Sequence, residues 1–158
     1  MKLILKLSLC MCLLIGVSMS CYAQQKTAAT TNNLPSGNIV DKEDLFTKAE
    51  IASMELEIQD FIKTTKIPMH VLVTPMPNNS DNNQWTIGTL KNPKGIVFSI
   101  SKLSKEISIG VGPELSKTLT KDKVDDIINT TILTAFEKQQ YKVGISNSIK
   151  ELLRQLVN

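Results

Sequence analysis

The sequence predicts a single α/β domain, and three observations lead there. Ile96, Val97, Phe98 and Ile100 form a near-continuous apolar run, the mark of a strand covered on both faces. Ile107, Ile109 and Val111 alternate with Ser108 and Gly110, the period of a half-buried strand. Before and after this pair, apolar residues recur at spacings of three and four, which is helical. With 158 residues, the chain can bury one real core but not two comfortable ones. Its 42% hydrophobic and 21% charged residues are ordinary for a globular protein.

The first 23 residues read as a signal peptide. Lys2 and Lys6 form a short basic start, and Leu7 to Val17 is an apolar run too short to span a bilayer. Cys21 and Ala23 put small residues at the −3 and −1 positions of a cut before Gln24. A competing outcome makes Ser20-Cys21 the end of a lipoprotein box with Cys21 acylated, although Ser18 stands where an aliphatic residue is usual. The expected location is the periplasm or cell envelope, with membrane attachment only through such a lipid. Residues 24–38 lack apolar periodicity and read as a flexible leader, leaving 39–158 as the domain.

The formal charge of +3 falls to +1 once Lys2 and Lys6 are removed, and aromatic residues are only 4%. Neither a basic patch nor stacking rings argue for nucleic acid. All three cysteines lie within the first 21 residues, so the domain has no disulfide framework, thiolate metal site or cysteine nucleophile.

Ile39 to Phe46 reads as a lead-in. Thr47 and Glu50 fit a capping box, with Phe46 and Ile51 as its staple, so a helix starts at Lys48. Ile51, Met54, Ile58, Phe61 and Ile62 form its main apolar face, and Ala49, Ala52 and Leu56 a second one expected to be covered as well. Pro68 to Thr74 is a strand, stopped by Pro75 and Pro77. His70, the sole histidine, reads as a half-buried strand residue, because a catalytic base normally has a partner that orients it. Asn78 to Asn83 is a polar loop without the carboxylate spacing of a calcium loop, and Trp85, Ile87 and Leu90 are expected to dock on the core.

After the two central strands, Gly110 and Gly112 bracket a loop that ends in Glu114. The loop reads as a tight chain reversal rather than a dinucleotide fingerprint, since a third glycine is missing. It is also the expected place for a site, because strand ends that open into loops expose groups in a crevice. Pro113 suits the first position of a helical turn and Thr120 caps the next helix, whose face is Val124, Ile127, Ile128, Ile132, Ala135 and Phe136. After a break at Lys138 to Gln140, Tyr141 opens the last helix, with Ile145, Ile149, Leu152, Leu153 and Leu156 on one side.

Several features now stand in order. They are Val40-Asp41, Leu45-Phe46-Thr47 with Glu50, Thr65-Lys66-Ile67 before a strand, Trp85 with Ile87-Gly88, and Gly95 before an apolar strand. Ile107-x-Ile109-Gly110-x-Gly112-x-Glu114-Leu115, Leu119-Thr120, and Tyr141 followed by Gly144-Ile145 complete the set. The set resembles the TPM domain family, exported or membrane-attached domains that include a thylakoid-lumen acid phosphatase and photosystem II repair proteins. The resemblance covers about Ile39 to Asn158. It implies a three-layer α-β-α sandwich with a central sheet of about four strands. It also implies links to acid phosphatase activity, to calcium or another divalent cation, and to assembly or repair of membrane complexes.

Glu114 matches the family's glutamate after the second glycine. Pro93-Lys94 stands where the family has Asp-Asn, Lys121 stands where it has Asp after Leu-Thr, and Gln139-Gln140-Tyr141 replaces Gly-Asp-Tyr. Lys94 puts a repelling charge where a cation ligand would be, and Arg154 is the sole arginine available to hold phosphate charge. The reading is therefore a non-catalytic module that binds an envelope protein partner. The alternatives are a divalent-metal-dependent acid-phosphatase-like hydrolase, with Glu114, Asp122 and Asp125 as oxygen ligands, or a calcium-binding structural domain.

Overall fold

The computed structural model describes residues 37–75 and 92–157. The expected signal peptide, Cys21, most of the expected leader, the asparagine-rich loop and Trp85 lie outside them. The fold is α/β. The described residues form a mixed sheet in the order β1 (Ile39–Asp41), β2 (Met69–Val73), β3 (Ile96–Ser101) and β4 (Glu106–Val111). β1, β2 and β3 run parallel, and β4 turns back antiparallel to β3.

β1 corrects the reading of Ile39 to Asp41 as a lead-in. This three-residue edge strand is too short to carry a pattern of its own. It exists because Val71 N donates to Asn38 O at 2.8 Å and Lys42 N to Val73 O at 2.8 Å. On its outer side, Ile39 N donates to Glu55 Oε1 and Asn38 Nδ2 to Glu55 Oε2, each at 2.9 Å. A helix side chain thus satisfies a backbone donor that an edge strand would otherwise leave open.

α1 (Lys48–Thr65) begins as expected: Glu50 N donates to Thr47 Oγ1 at 3.3 Å, and Thr47 N to Glu50 Oε2 at 2.9 Å. It ends at Lys66, whose left-handed backbone (φ 62°) lets its N–H reach Ile62 O. Met54, Ile58 and Phe61 are buried, but Leu56 is 64% exposed, so the second covered face does not form.

α2 is a composite. It starts as α-helix over Lys121–Asp126, widens to a π-helix over Ile127–Leu133, and closes with one α-turn, Thr134–Phe136. The apolar spacing that predicts a plain helix cannot see the extra residue per turn. Thr130 Oγ1 donates to Asp126 O at 2.7 Å, and Thr134 Oγ1 to Asn129 O at 3.5 Å, which answers carbonyls the wider turn loosens. α3 (Tyr141–Val157) follows after the expected break and buries Ile145, Ile149 and Leu152.

One face of the sheet, with Met69, Val71, Val73, Ile96, Phe98, Ile100 and Ile109, shares a single apolar core with all three described helices. The other face carries Leu72 and Val97, with Val40 against them, and the buried Ser99, Ser101 and Ser108. Among the described residues, no helix covers this second face, where the sandwich expectation calls for one.

Candidate functional site

Because β4 runs antiparallel, its glycine loop lies at the amino end of the parallel strands. It does not open into the crevice beyond their carboxyl ends, where α/β sheets usually bind. The loop is also closed by backbone. A Cβ on Gly112 would stand 2.4 Å from Pro93 O, so glycine is required by close approach of a second chain segment. Its φ of −59° is open to any residue, so chain reversal is not the reason for it. Gly112 N donates to Gly95 O at 2.8 Å, and Glu114 N to Pro93 O at 3.0 Å. Gly110, also buried, sits opposite Val97 in the ladder.

Glu114 lies on a 3-10 turn, Pro113–Leu115, with proline first as expected. Its carboxylate meets Lys94 Nζ at 3.3 Å, both side chains being more than half exposed. Asp122 and Asp125 lie in the first turns of α2, and Asp125 is held by Lys121 one turn back. Thr120 has the extended backbone of a cap but makes no side-chain cap bond. Among the described residues, no three of His, Cys, Asp and Glu gather as ligands for a metal ion.

The carboxyl end of the parallel strands holds a cleft of about 610 Å³, a size typical of ligand and peptide pockets. Its apolar lining is Leu45, Ile100, Leu133, Phe136 and Tyr141. Phe136 and Tyr141 meet edge to face with centroids 5.0 Å apart, which joins α2 to α3 and shapes one wall. The π-turn delivers Leu133 to the rim, 37% exposed. Lys102, Lys105 and Glu137 line the mouth and make no ion pair among the described residues.

The connections that build this cleft are unusual. Asp44, Lys105 and Gln139 all have left-handed backbones, with φ of 50°, 55° and 58°. Lys105 and Gln139 line the cleft, and Asp44 precedes Leu45, which does. Each side chain costs roughly 1–2 kcal/mol there relative to glycine, and such outliers concentrate at functional sites.

Two carboxylates hold the geometry. Asp41 accepts from Phe46 N at 2.8 Å and Glu43 N at 3.2 Å, which folds the β1–α1 connection. Glu43 then accepts from Lys102 N, from Leu103 N at 3.3 Å and from Ser101 Oγ at 3.4 Å, which fixes the β3–β4 hairpin. The sequence reading missed this site. Its one local sign was Asp41, an aspartate two residues ahead of the amide it holds.

Comparison with known proteins extends the picture. No curated protein sequence gives a significant match. Among solved structures, the chain is similar to the N-terminal domain of a P. gingivalis protein solved by NMR. The identity is 16%, covering 75% of this chain and 80% of that one, with a TM-score of 0.66. The N-terminal domain of cg2496 from Corynebacterium glutamicum is similar at 12% identity, with coverage of 78% and 82% and a TM-score of 0.61. The BA42 protein of Bizionia argentinensis is similar at 19% identity, with coverage of 74% and 85% and a TM-score of 0.62. At these identities the likeness concerns the fold. The family model for the TPM domain matches residues 39–155, from the first residue of β1 into the last turn of α3. That match spans most of the chain, and the chain belongs to the TPM domain family.

Proposed function

We propose that this TPM domain is an exported, non-catalytic module that binds a protein partner at the cell envelope, and that the partner enters the cleft at the carboxyl end of the parallel strands. The observation that carries the reading is how two of the three expected metal-site carboxylates, Glu114 and Asp125, are spent. Glu114 faces the Lys94 ammonium at 3.3 Å, and Asp125 faces Lys121. A divalent cation or a developing phosphoryl charge needs oxygen donors and positive charge arranged around one point, whereas these carboxylates are answered one by one.

The cleft suits a polypeptide better than a small charged substrate. An apolar lining takes side chains such as leucine or phenylalanine, while the unpaired Lys102, Lys105 and Glu137 can meet opposite charges at the rim. Export rests on the basic, then apolar, then small-residue order of residues 1–23.

A photo-crosslinking amino acid placed at Leu133 in the full chain, expressed in intact cells, tests the reading. A single discrete adduct is expected from Leu133 and none from Leu56 on the opposite, exposed side of α1. Hydrolysis of a generic phosphomonoester that depends on calcium, magnesium or zinc and is lost in Glu114→Gln would overturn it. Site-localised NMR shifts at Gly112 to Glu114 on adding calcium, without hydrolysis, would move the assignment to a calcium-binding structural domain.

A further inference from the structure

The two edges of the sheet are finished differently. β1 and β4 are its outer strands. On β1, the outward N–H of Ile39 is taken by the Glu55 carboxylate at 2.9 Å. The pairing of β4 with β3 fixes which of its backbone groups face outward. Gly112 N donates to Gly95 O at 2.8 Å, and bonded pairs recur at every second residue of an antiparallel ladder. The bonded pairs are therefore Gly110 with Val97, Ser108 with Ser99 and Glu106 with Ser101. Between them, Ile107, Ile109 and Val111 turn their N–H and C=O away from β3. Among the described residues, these outward groups make no backbone bond, and no side chain caps them as Glu55 caps Ile39.

Access differs along this edge. Ile109 is 2% exposed, so its outer groups are closed to an incoming chain, and Val111 lies beyond it, away from the cleft. Ile107 is half-buried and lines the cleft together with Ile100, its partner across the ladder. Residues opposite one another on neighbouring strands share one face of a sheet. A residue laid beside Ile107 on a further strand would therefore point into the same hollow, towards Leu133, Phe136 and Tyr141. The cleft thus joins an unbonded amide and carbonyl to an apolar recess on the matching face. An extended polypeptide uses both at once, its backbone on the strand edge and an alternate side chain in the recess. A helix has its backbone bonds filled internally, and an apolar small molecule has nothing to offer the strand edge.

We infer that the partner enters as a short extended segment that adds to β4 at Ile107. Its backbone bonds the outward N–H and C=O of Ile107, and one large apolar side chain fills the cleft. This rests on the reading that the cleft receives a protein, and it specifies the form in which the protein arrives. Because Ile109 is covered, the added strand is anchored at Ile107 alone, and the buried side chain supplies most of the hold.

Two substitutions separate the amide from the side chain. Ile107→Ala and Ile107→Pro both give up apolar surface, but only proline removes the N–H. That N–H makes no bond to β3, so the sheet edge accepts proline there. With a photo-crosslinking residue at Leu133 in intact cells, Ile107→Ala should keep the adduct within about threefold of the unsubstituted chain, and Ile107→Pro should lower it at least about tenfold. A second measurement needs no variant. The crosslinked segment, identified by mass spectrometry and made as a synthetic peptide, should slow exchange of the Ile107 amide at least about tenfold and leave that of Glu106, already bonded to Ser101, unchanged. An adduct as strong with Ile107→Pro as with Ile107→Ala, or a peptide that binds without protecting Ile107, overturns the inference while leaving a protein in the cleft. Absence of any Leu133 adduct removes the reading of the cleft itself, and the inference with it.

Discussion

The Glu43 carboxylate, in the connection after β1, accepts hydrogen bonds from the backbone amides of Lys102 and Leu103 at the tip of the β3–β4 hairpin. One side chain thereby ties the amino-terminal edge of the sheet to a turn about sixty residues away, and both flank the same cleft.

Glu43→Ala should therefore do more than remove a surface charge. It leaves two turn amides without their acceptor and should cost about 1–2 kcal/mol, read from urea unfolding. Amide exchange at Lys102 and Leu103 should quicken, while the capping-box amide of Glu50 stays protected. Unchanged exchange at the hairpin would contradict the role given to Glu43.

Gly112→Ala and Gly144→Ala separate two kinds of glycine. The first forces a methyl to within 2.4 Å of Pro93 O, a backbone atom, and should cost about 2–3 kcal/mol. At Gly144 a methyl meets Ala135 Cβ at 3.1 Å and the Phe136 ring at 3.2 Å, where small shifts suffice. The gain in helix propensity offsets that crowding, so this variant should stay within about 1 kcal/mol of wild type. Comparable unfolding midpoints for the two would refute the close-approach argument.

Burial pushes the His70 imidazole below its ordinary 6.5, against a smaller upward pull from the Glu55 carboxylate, and its Nδ1 has no partner among the described residues. The chain's one histidine gives one NMR titration, and its midpoint should fall below 6.5. Between that midpoint and 6.5 the unfolded chain binds more protons than the folded one. Stability is therefore full above 6.5 and declines as pH falls through that window. Replacing His70 by Gln should remove this part of the pH dependence, measured as urea midpoints at pH 7.5 and 5.5.

Lys142 Nζ meets Glu57 Oε1 at 3.0 Å across the α1–α3 contact, and both side chains are about three-quarters buried. Burial favours the neutral acid, but the Ser146 hydroxyl and the Lys142 ammonium outweigh it and hold the Glu57 pKa below the ordinary 4.5. Glu57 Oε2 and Ser146 Oγ have no hydrogen-bond partner among the described residues, so the Lys142 contact is the one that the geometry carries. The stabilisation is present above pH 4.5 and lost as pH drops through the lowered value. Lys142→Met, which keeps the apolar stem, should cost about 1 kcal/mol at pH 7 and much less at pH 3, by urea unfolding.

What could be read from the sequence was what neighbours in sequence decide. Thr47 and Glu50 are three residues apart, and their reciprocal bonds form as expected. The apolar stripes of α1 and α3 and the alternation in β4 likewise depend on short-range periodicity. β1 was invisible because its pairing partner is Val71 and its outer edge is satisfied by Glu55. The π-turn in α2 was hidden because Ile127 and Ile132 suit either helix. The glycine loop was legible, but the end of the sheet on which it lies was not, since strand direction is a tertiary fact. The cleft draws its walls from Leu45, Ile100, Leu133 and Tyr141, and no short window of sequence contains more than one of them.

The left-handed residues around the cleft leave stability unclaimed. Glycine at Lys105 or Gln139 would relax the backbone by about 1 kcal/mol each, less what glycine loses in chain entropy. A tougher version of this domain is thus two substitutions away, yet it would give up an ammonium and an amide at the mouth. Engineering for heat resistance and engineering for recognition pull in opposite directions at these two positions.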